Sequence, residues 1–293
     1  RLTGNSIVAD ELELSALNSV LGFHSVTGRW VTYHTPMDGV RKASAHDIVF
    51  QSREGSPELN CCSVNGPRGI GMVDDWALMA DSDGLILNWY GPSEMRTILP
   101  DGKGVAIVQE SEYPRKGDVL IRVSPERAST FRLKLRIPYW SEKTSVSVNG
   151  KRVRDVKPGA YLALDRRWKR GDTVRLSLDM RPHFWVGEKE YRGRISIFRG
   201  PILLTYDRRF NTMDPANLPE LDADALQGRL VVGRDWIQPL LLFDCVAEDG
   251  QKVRLCDFAS AGEGGSPYVS WFRIGGVRKT PFSANNPLRS GRP

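Results

Sequence analysis

The apolar pattern of this chain changes period once, near Asp81–Gly84. Upstream the spacing is helical. Over residues 6–22, Ile7, Leu14, Leu17 and Leu21 share one face and Leu12, Ala16 and Val20 widen it, which predicts an amphipathic helix. Asp10, Glu11 and Glu13 lie in its first half, where the helix dipole favours acids. Residues 28–36 read as an edge strand closed by Pro36, and residues 37–57 as a loop rich in Ser, Gly and charge. Asn65 and Gly66 read as a helix start with Pro67 in the first turn. From Gly69, residues Ile70, Val73, Trp76, Ala77 and Ala80 then share a helical face that ends near Asp81.

Downstream the period is two. Leu85, Leu87 and Trp89 alternate with Ile86, Asn88 and Tyr90. Phe131, Leu133, Leu135 and Ile137 alternate with Arg132, Lys134 and Arg136, and Val174–Met180 follow the same rule. Val146 and Val148 run into Asn149-Gly150, a hairpin turn. One oily and one wet face per strand is what packed antiparallel sheets require. After Pro182, strands are expected around Ile195–Ile197, Ile202–Leu204, Leu230–Val232, Leu240–Phe243 and Val253–Leu255, with a turn at Arg199-Gly200-Pro201 and a long loop over 207–228. Cys245 and Cys256 are expected to face each other as packed free thiols. The last residues, 277–293, lack periodicity and read as a disordered tail.

Composition narrows the function without naming it. The chain has 293 residues, 40% hydrophobic and 26% charged, as in ordinary globular proteins. The 41 Lys+Arg against 35 Asp+Glu give +6, but the charge is dispersed, which argues against a nucleic-acid partner. No apolar run reaches the length of a membrane span, so no membrane partner is expected. Four cysteines, two of them adjacent, do not make a disulfide framework.

Those adjacent cysteines, Cys61 and Cys62, carry the candidate chemistry. Neighbours in sequence do not close an ordinary disulfide. A helix N-terminus beside them favours thiolate. Buried filler is the competing reading, because cysteine packs well in cores and metal half-sites usually space their thiols further apart.

The stretch Asn60-Cys61-Cys62-Ser63-Val64-Asn65-Gly66-Pro67-Arg68 resembles the Cys-Cys-x-x-Asn-x-x-Arg signature of glycoside hydrolase family 127, the β-L-arabinofuranosidases and their relatives. Ala9–Glu13, Ala16–Asn18, Gly28, Trp30, Tyr33 and Pro36 upstream, and Gly84-Leu85 with the β-rich region downstream, extend the similarity over roughly residues 6–275. The resemblance implies a mainly β fold: the C-terminal remnant of an (α/α)6 barrel, with few helices, over 1–82; a β-sandwich over 83–182; and a second β-rich, sandwich-like domain over 183–276.

It also implies a retaining hydrolase whose nucleophile is Cys61, with zinc held by Cys61, Cys62, a third cysteine and a glutamate, and a second glutamate as acid and base. Family members carry those last three groups upstream, and this chain has no cysteine before Cys61, so it is expected to be the C-terminal part of a longer enzyme and weak or inactive alone. Glu54 and Glu58 are the carboxylates nearest the pair in sequence. His34, Tyr33 and Asn18 are candidates to line a carbohydrate substrate, an arabinofuranoside or related plant or polysaccharide sugar. Asn18 has a second reading, as a cap on a neighbouring loop. Asn65 and Arg68 are candidates to support the cysteine turn, with Arg68 alternatively pairing an acid in the core. The alternative function is a non-catalytic β-sandwich module that binds carbohydrate or braces a partner. An oligomer is left open.

Overall fold

The computed structural model describes residues 4–25, 28, 31–32, 35–41, 61–221, 229–231 and 240–273, with backbone alone for 61–64 and 229–231. It is mainly β, with few helices. Two compact units are present: Arg1–Glu13 with Met72–Met180, and Leu14–Gly71 with Arg181–Pro293. The helical elements are α1 (Ser6–Leu14), a π-helical segment Ser15–Val20, α2 (Cys61–Gly71) and α3 (Val73–Ala77); the first strand is β1 (Asp38–Val40).

The first unit holds two sheets. One runs β10 (Ala160–Trp168), β7 (Ser129–Ile137), β3 (Gly84–Leu87), β2 (Leu78–Asp81), with β3 and β7 parallel. The other runs β4 (Ser93–Ile98), β5 (Gly104–Ser111), β6 (Asp118–Pro125), β11 (Asp172–Ser177), β8 (Ser145–Val148), β9 (Lys151–Arg152). Alternate residues make the core: Leu85, Leu87, Leu133, Leu135 and Ile137 from one sheet, Ile107, Ile121, Val123, Val174 and Leu176 from the other. The Asn149-Gly150 turn joins β8 to β9 with both residues at positive φ, 49° and 79°, as a two-residue hairpin needs.

The second unit is built on a nine-stranded sheet. Its path is β1, β18 (Pro267–Val269), β14 (Ile202–Asp207), β17 (Lys252–Asp257), β16 (Leu242–Val246), β15 (Arg229–Val231). β13 (Arg194–Arg199) branches off this path and pairs with β12 (Pro182–Val186), β14 and β19 (Phe272–Arg273). Gly200-Pro201 makes the expected turn between β13 and β14.

Several expectations are corrected. The buried stripe of α1 is not the apolar one. Ser6, Ala9, Asp10 and Glu13 are buried, while Val8 and Leu12 are exposed. The acids turn inward because Arg136, expected on the wet face of β7, is fully buried between them. Its Nη1 donates to Asp10 Oδ1 at 2.6 Å and its Nη2 to Glu13 Oε1 at 2.7 Å. Arg136 Nε donates to the Asn88 carbonyl at 2.5 Å, the Tyr90 hydroxyl donates to the Arg136 carbonyl, and Tyr139 N–H donates to Asp10 Oδ2 at 3.1 Å. Burial pushes both carboxyls above their usual range, against the pull of Arg136.

The single helix expected from Gly69 to Asp81 is broken. α2 stops at Gly71, α3 at Ala77, and Met79 and Ala80 pair with Ile86 and Leu85 in a β-hairpin. Asp81 turns that hairpin by accepting the N–H groups of Asp83 and Gly84. Cys245 lies opposite Val253 and Cys256 opposite Leu242, so the two thiols do not face each other. Both are buried and free, and burial pushes Cys245 up to about 12 and Cys256 well above the ordinary thiol range. Of the strand expected over 28–36, the described residues show one bridge, Val31 with His24. The tail 277–293 and loop residues 42–57 lie outside the described residues.

Candidate active site

Cys61 and Cys62 are the first two residues of the 11-residue helix α2. Helix therefore begins at the pair itself, four residues before the start expected at Asn65-Gly66, and Pro67 lies inside it. That proline lacks the N–H that would bond back to the Ser63 carbonyl, so one helical bond is forgone without ending the helix. The first N–H groups of α2 point toward its start, where the dipole favours anionic sulfur.

α2 packs on the π-helical segment through glycine. A Cβ on Gly66 would fall 1.6 Å from the Phe23 ring, and one on Gly69 would fall 2.8 Å from Val20. Only glycine allows so close an approach at Gly66. Beside this contact Ser19, Val20, Phe23, Thr35, Asn65, Gly66 and Gly69 line a cleft of about 460 Å³. A π turn is the kind of helix irregularity that recurs at functional sites.

Asn18 sits in the π segment and is buried. Its Nδ2 donates to the carbonyls of Leu14 and Pro201, both at 2.8 Å, and its Oδ1 accepts the Leu203 N–H at 2.8 Å. Both amide hydrogens are occupied by main chain, which ties the π segment to the Pro201 turn and to β14. Asn65 is exposed on the cleft wall. Arg68 is exposed in the last turn of α2, where a cation complements the dipole. Tyr33 and His34 lie outside the described residues, as do Glu54, Glu58 and Trp30.

Sequence reading gave His24 no role. Its Nδ1 donates to the Val20 carbonyl at 2.8 Å, and its Nε2 is buried. The ring meets Phe23 edge-on at 4.8 Å. No spacing signal marked it, because His24 and Phe23 follow the π turn, which shifts the helical register.

Two thiols suit a soft divalent ion such as zinc, as half of a tetrahedral donor set. Among the described residues no group of three or more His, Cys, Asp or Glu side chains could hold a metal ion. No helix among the described residues is long and apolar enough to cross a membrane.

Residues 84–180 match the family model of the β-L-arabinofuranosidase GH127 middle domain. The resemblance to the GH127 enzymes holds. A GH127 β-L-arabinofuranosidase from Geobacillus stearothermophilus T6 superposes with a TM-score of 0.79 at 25% identity, covering 94% of this chain and 47% of that one. A protein described as a glycoside hydrolase gives 0.78 at 24% identity, with 93% and 49% covered. A GH127 β-arabinofuranosidase gives 0.77 at 22% identity, with 94% and 46% covered. The last two likenesses speak for the fold alone. The chain spans about half the length of these structures. No curated protein matches it in sequence.

Proposed function

We propose that this chain is the cysteine-bearing part of a retaining glycoside hydrolase acting on β-L-arabinofuranosides or related plant polysaccharide sugars, with the Cys61 thiolate as nucleophile. The observation that carries the reading is the Cys61-Cys62 pair opening helix α2 in a chain whose fold follows a GH127 β-L-arabinofuranosidase over nearly all its length.

The chemistry is a double displacement. The Cys61 sulfur attacks the anomeric carbon, the bond from that carbon to the leaving oxygen breaks, and a general acid supplies that oxygen with a proton. Water then attacks the same carbon, the general base takes its proton, and the carbon–sulfur bond breaks to restore the thiolate. Two inversions give net retention. The α2 N-terminus stabilises the anionic sulfur before attack and after release. The contacts of Gly66 with Phe23 and of Gly69 with Val20 hold the second half of α2 against the π segment and the turn after it.

Cys61 and Cys62 would hold zinc, which keeps coordinating sulfur deprotonated at neutral pH. Its remaining donors, and the acid/base glutamate, match no residue of this sequence in the GH127 resemblance.

The test is hydrolysis of an aryl β-L-arabinofuranoside by the full-length gene product. Cys61→Ala is expected to lower kcat by several orders of magnitude. Cys62→Ser is expected to lower the zinc content. Robust turnover that survives Cys61→Ala contradicts the assigned nucleophile.

A further inference from the structure

A second candidate site lies at one end of the nine-stranded sheet, and the cysteine chemistry does not use it. The connection between β12 and β13 carries a 3-10 turn, Lys189–Tyr191. The Tyr191 ring stacks on Trp271 with centroids 4.7 Å apart and planes 23° apart. One face of Tyr191 is thus backed by the indole, yet the residue is still 38% exposed, so its outer face is open to solvent. A tyrosine placed only for core packing would bury that face.

Main chain fixes both rings. Gly187 N–H donates to the Arg194 carbonyl at 2.8 Å, and Tyr191 N–H to the Glu188 carbonyl at 2.9 Å. A Cβ on Gly187 would fall 2.2 Å from the Tyr191 carbonyl oxygen, so the turn closes as tightly as glycine permits. Lys189 takes a positive φ of 50°, which few non-glycine residues adopt. Trp271 is followed by buried Phe272, paired with Ile195 of β13. The backbone that carries both rings is hydrogen-bonded or strand-paired before any ligand arrives, which limits the ordering cost of binding.

Polar groups stand beside it. Asp38 Oδ1 accepts the N–H groups of Ser270 and Trp271, at 2.8 and 3.2 Å. Asp38 Oδ2 lies 3.9 Å from Arg194 Nη1, too far for a hydrogen bond, and the Arg194 side chain is 39% exposed. A carboxylate and a guanidinium in a long ion pair beside an exposed aromatic stack suit a ligand with an apolar face and several hydroxyls on its edge. A sugar ring has that form. The carboxylate disfavours the phosphates of a nucleic acid, which would otherwise compete for an aromatic-plus-arginine platform.

We propose that Tyr191 and Trp271, flanked by Arg194 and Asp38, form a glycan-binding subsite that stacks one neutral sugar residue of a polysaccharide chain. The choice of a plant glycan as the probe rests on the glycosidase reading.

The test measures retardation of the full-length gene product in native gels containing debranched arabinan, in parallel with turnover of a small aryl arabinofuranoside. Tyr191→Ala is expected to weaken arabinan binding about tenfold and to leave aryl turnover unchanged. Tyr191→Phe, which keeps the ring, is expected to retain binding. Single-stranded oligonucleotide is expected not to compete. Unchanged retardation of Tyr191→Ala, or no retardation of the unaltered protein by arabinan, overturns the subsite. Aryl turnover reports the glycosidase reading separately. Thermal melting of Tyr191→Ala checks that the exposed ring is not needed for folding.

Discussion

Strand β7 offers a comparison in which burial is the main difference. Arg132 and Arg136 lie on one strand, and each binds two carboxylates. Arg132 holds Asp83 and Asp165, both at 2.7 Å, but those side chains are 52% and 59% exposed. Arg136 holds Asp10 and Glu13 at 2.6 and 2.7 Å, and all three side chains are fully buried. Breaking a buried pair from one side strands an uncompensated charge, at about 3–5 kcal/mol. Breaking an exposed one costs about 0–1 kcal/mol. Arg136→Met is therefore expected to lower the unfolding midpoint of the first unit by roughly 10–20 °C, and Arg132→Met by only a few degrees.

The effect depends on pH. Burial raises both carboxyls above their unfolded values, so their ionisation opposes folding. Their contribution is fully present below the unfolded carboxylate range and is lost as pH rises through the folded values. Removing Arg136 raises those values further, so the gap from the unaltered protein widens as pH rises and narrows on acidification. Urea melts read by tryptophan fluorescence across that range measure it. Equal losses for the two arginines, or a gap that does not narrow in acid, would refute the reasoning.

Gly66→Ala forces a methyl into the Phe23 ring and is expected to cost about 1–3 kcal/mol, with part recovered by Phe23→Leu in the double variant; thermal melts of the four proteins check this. Asp207 is buried, which alone would raise its carboxyl. Bonds from Arg209, Ser266 and the Gly262 N–H outweigh burial and hold it below the usual range. Its stabilisation is present above the unfolded carboxylate pKa and lost as pH falls through the folded one. Asp207→Asn is expected to cost about 1.5–3 kcal/mol near neutrality and less in acid, as urea melts at two pH values would show.

Strand positions were legible because period-two alternation survives any register: the inward residues of β7 and β11 are the apolar ones expected. Hairpins marked by Asn149-Gly150 and Gly200-Pro201 were legible because backbone conformation is local. Arg136, Asp10 and Glu13 were not, because an arginine and two acids look like solvent positions until a helix covers the strand end. The end of the helical stretch at Ala77 was equally hidden, since residues 78–80 fit a helical stripe and a hairpin strand alike, and pairing with β3 decides between them. The cysteine pair stands out in the sequence by its motif, and the helix that it opens begins earlier than Pro67 suggested. His24 and the stacked Tyr191 and Trp271 carry no local signature, because only tertiary contacts assemble them.

The most direct measurement is peptide mapping by mass spectrometry after the full-length gene product is quenched during turnover of an aryl β-L-arabinofuranoside. A single pentosyl group on the peptide carrying Cys61, absent from Cys61→Ala, is the predicted result. A pentosyl group carried on a carboxylate, or turnover with no adduct on any sulfur, would contradict it.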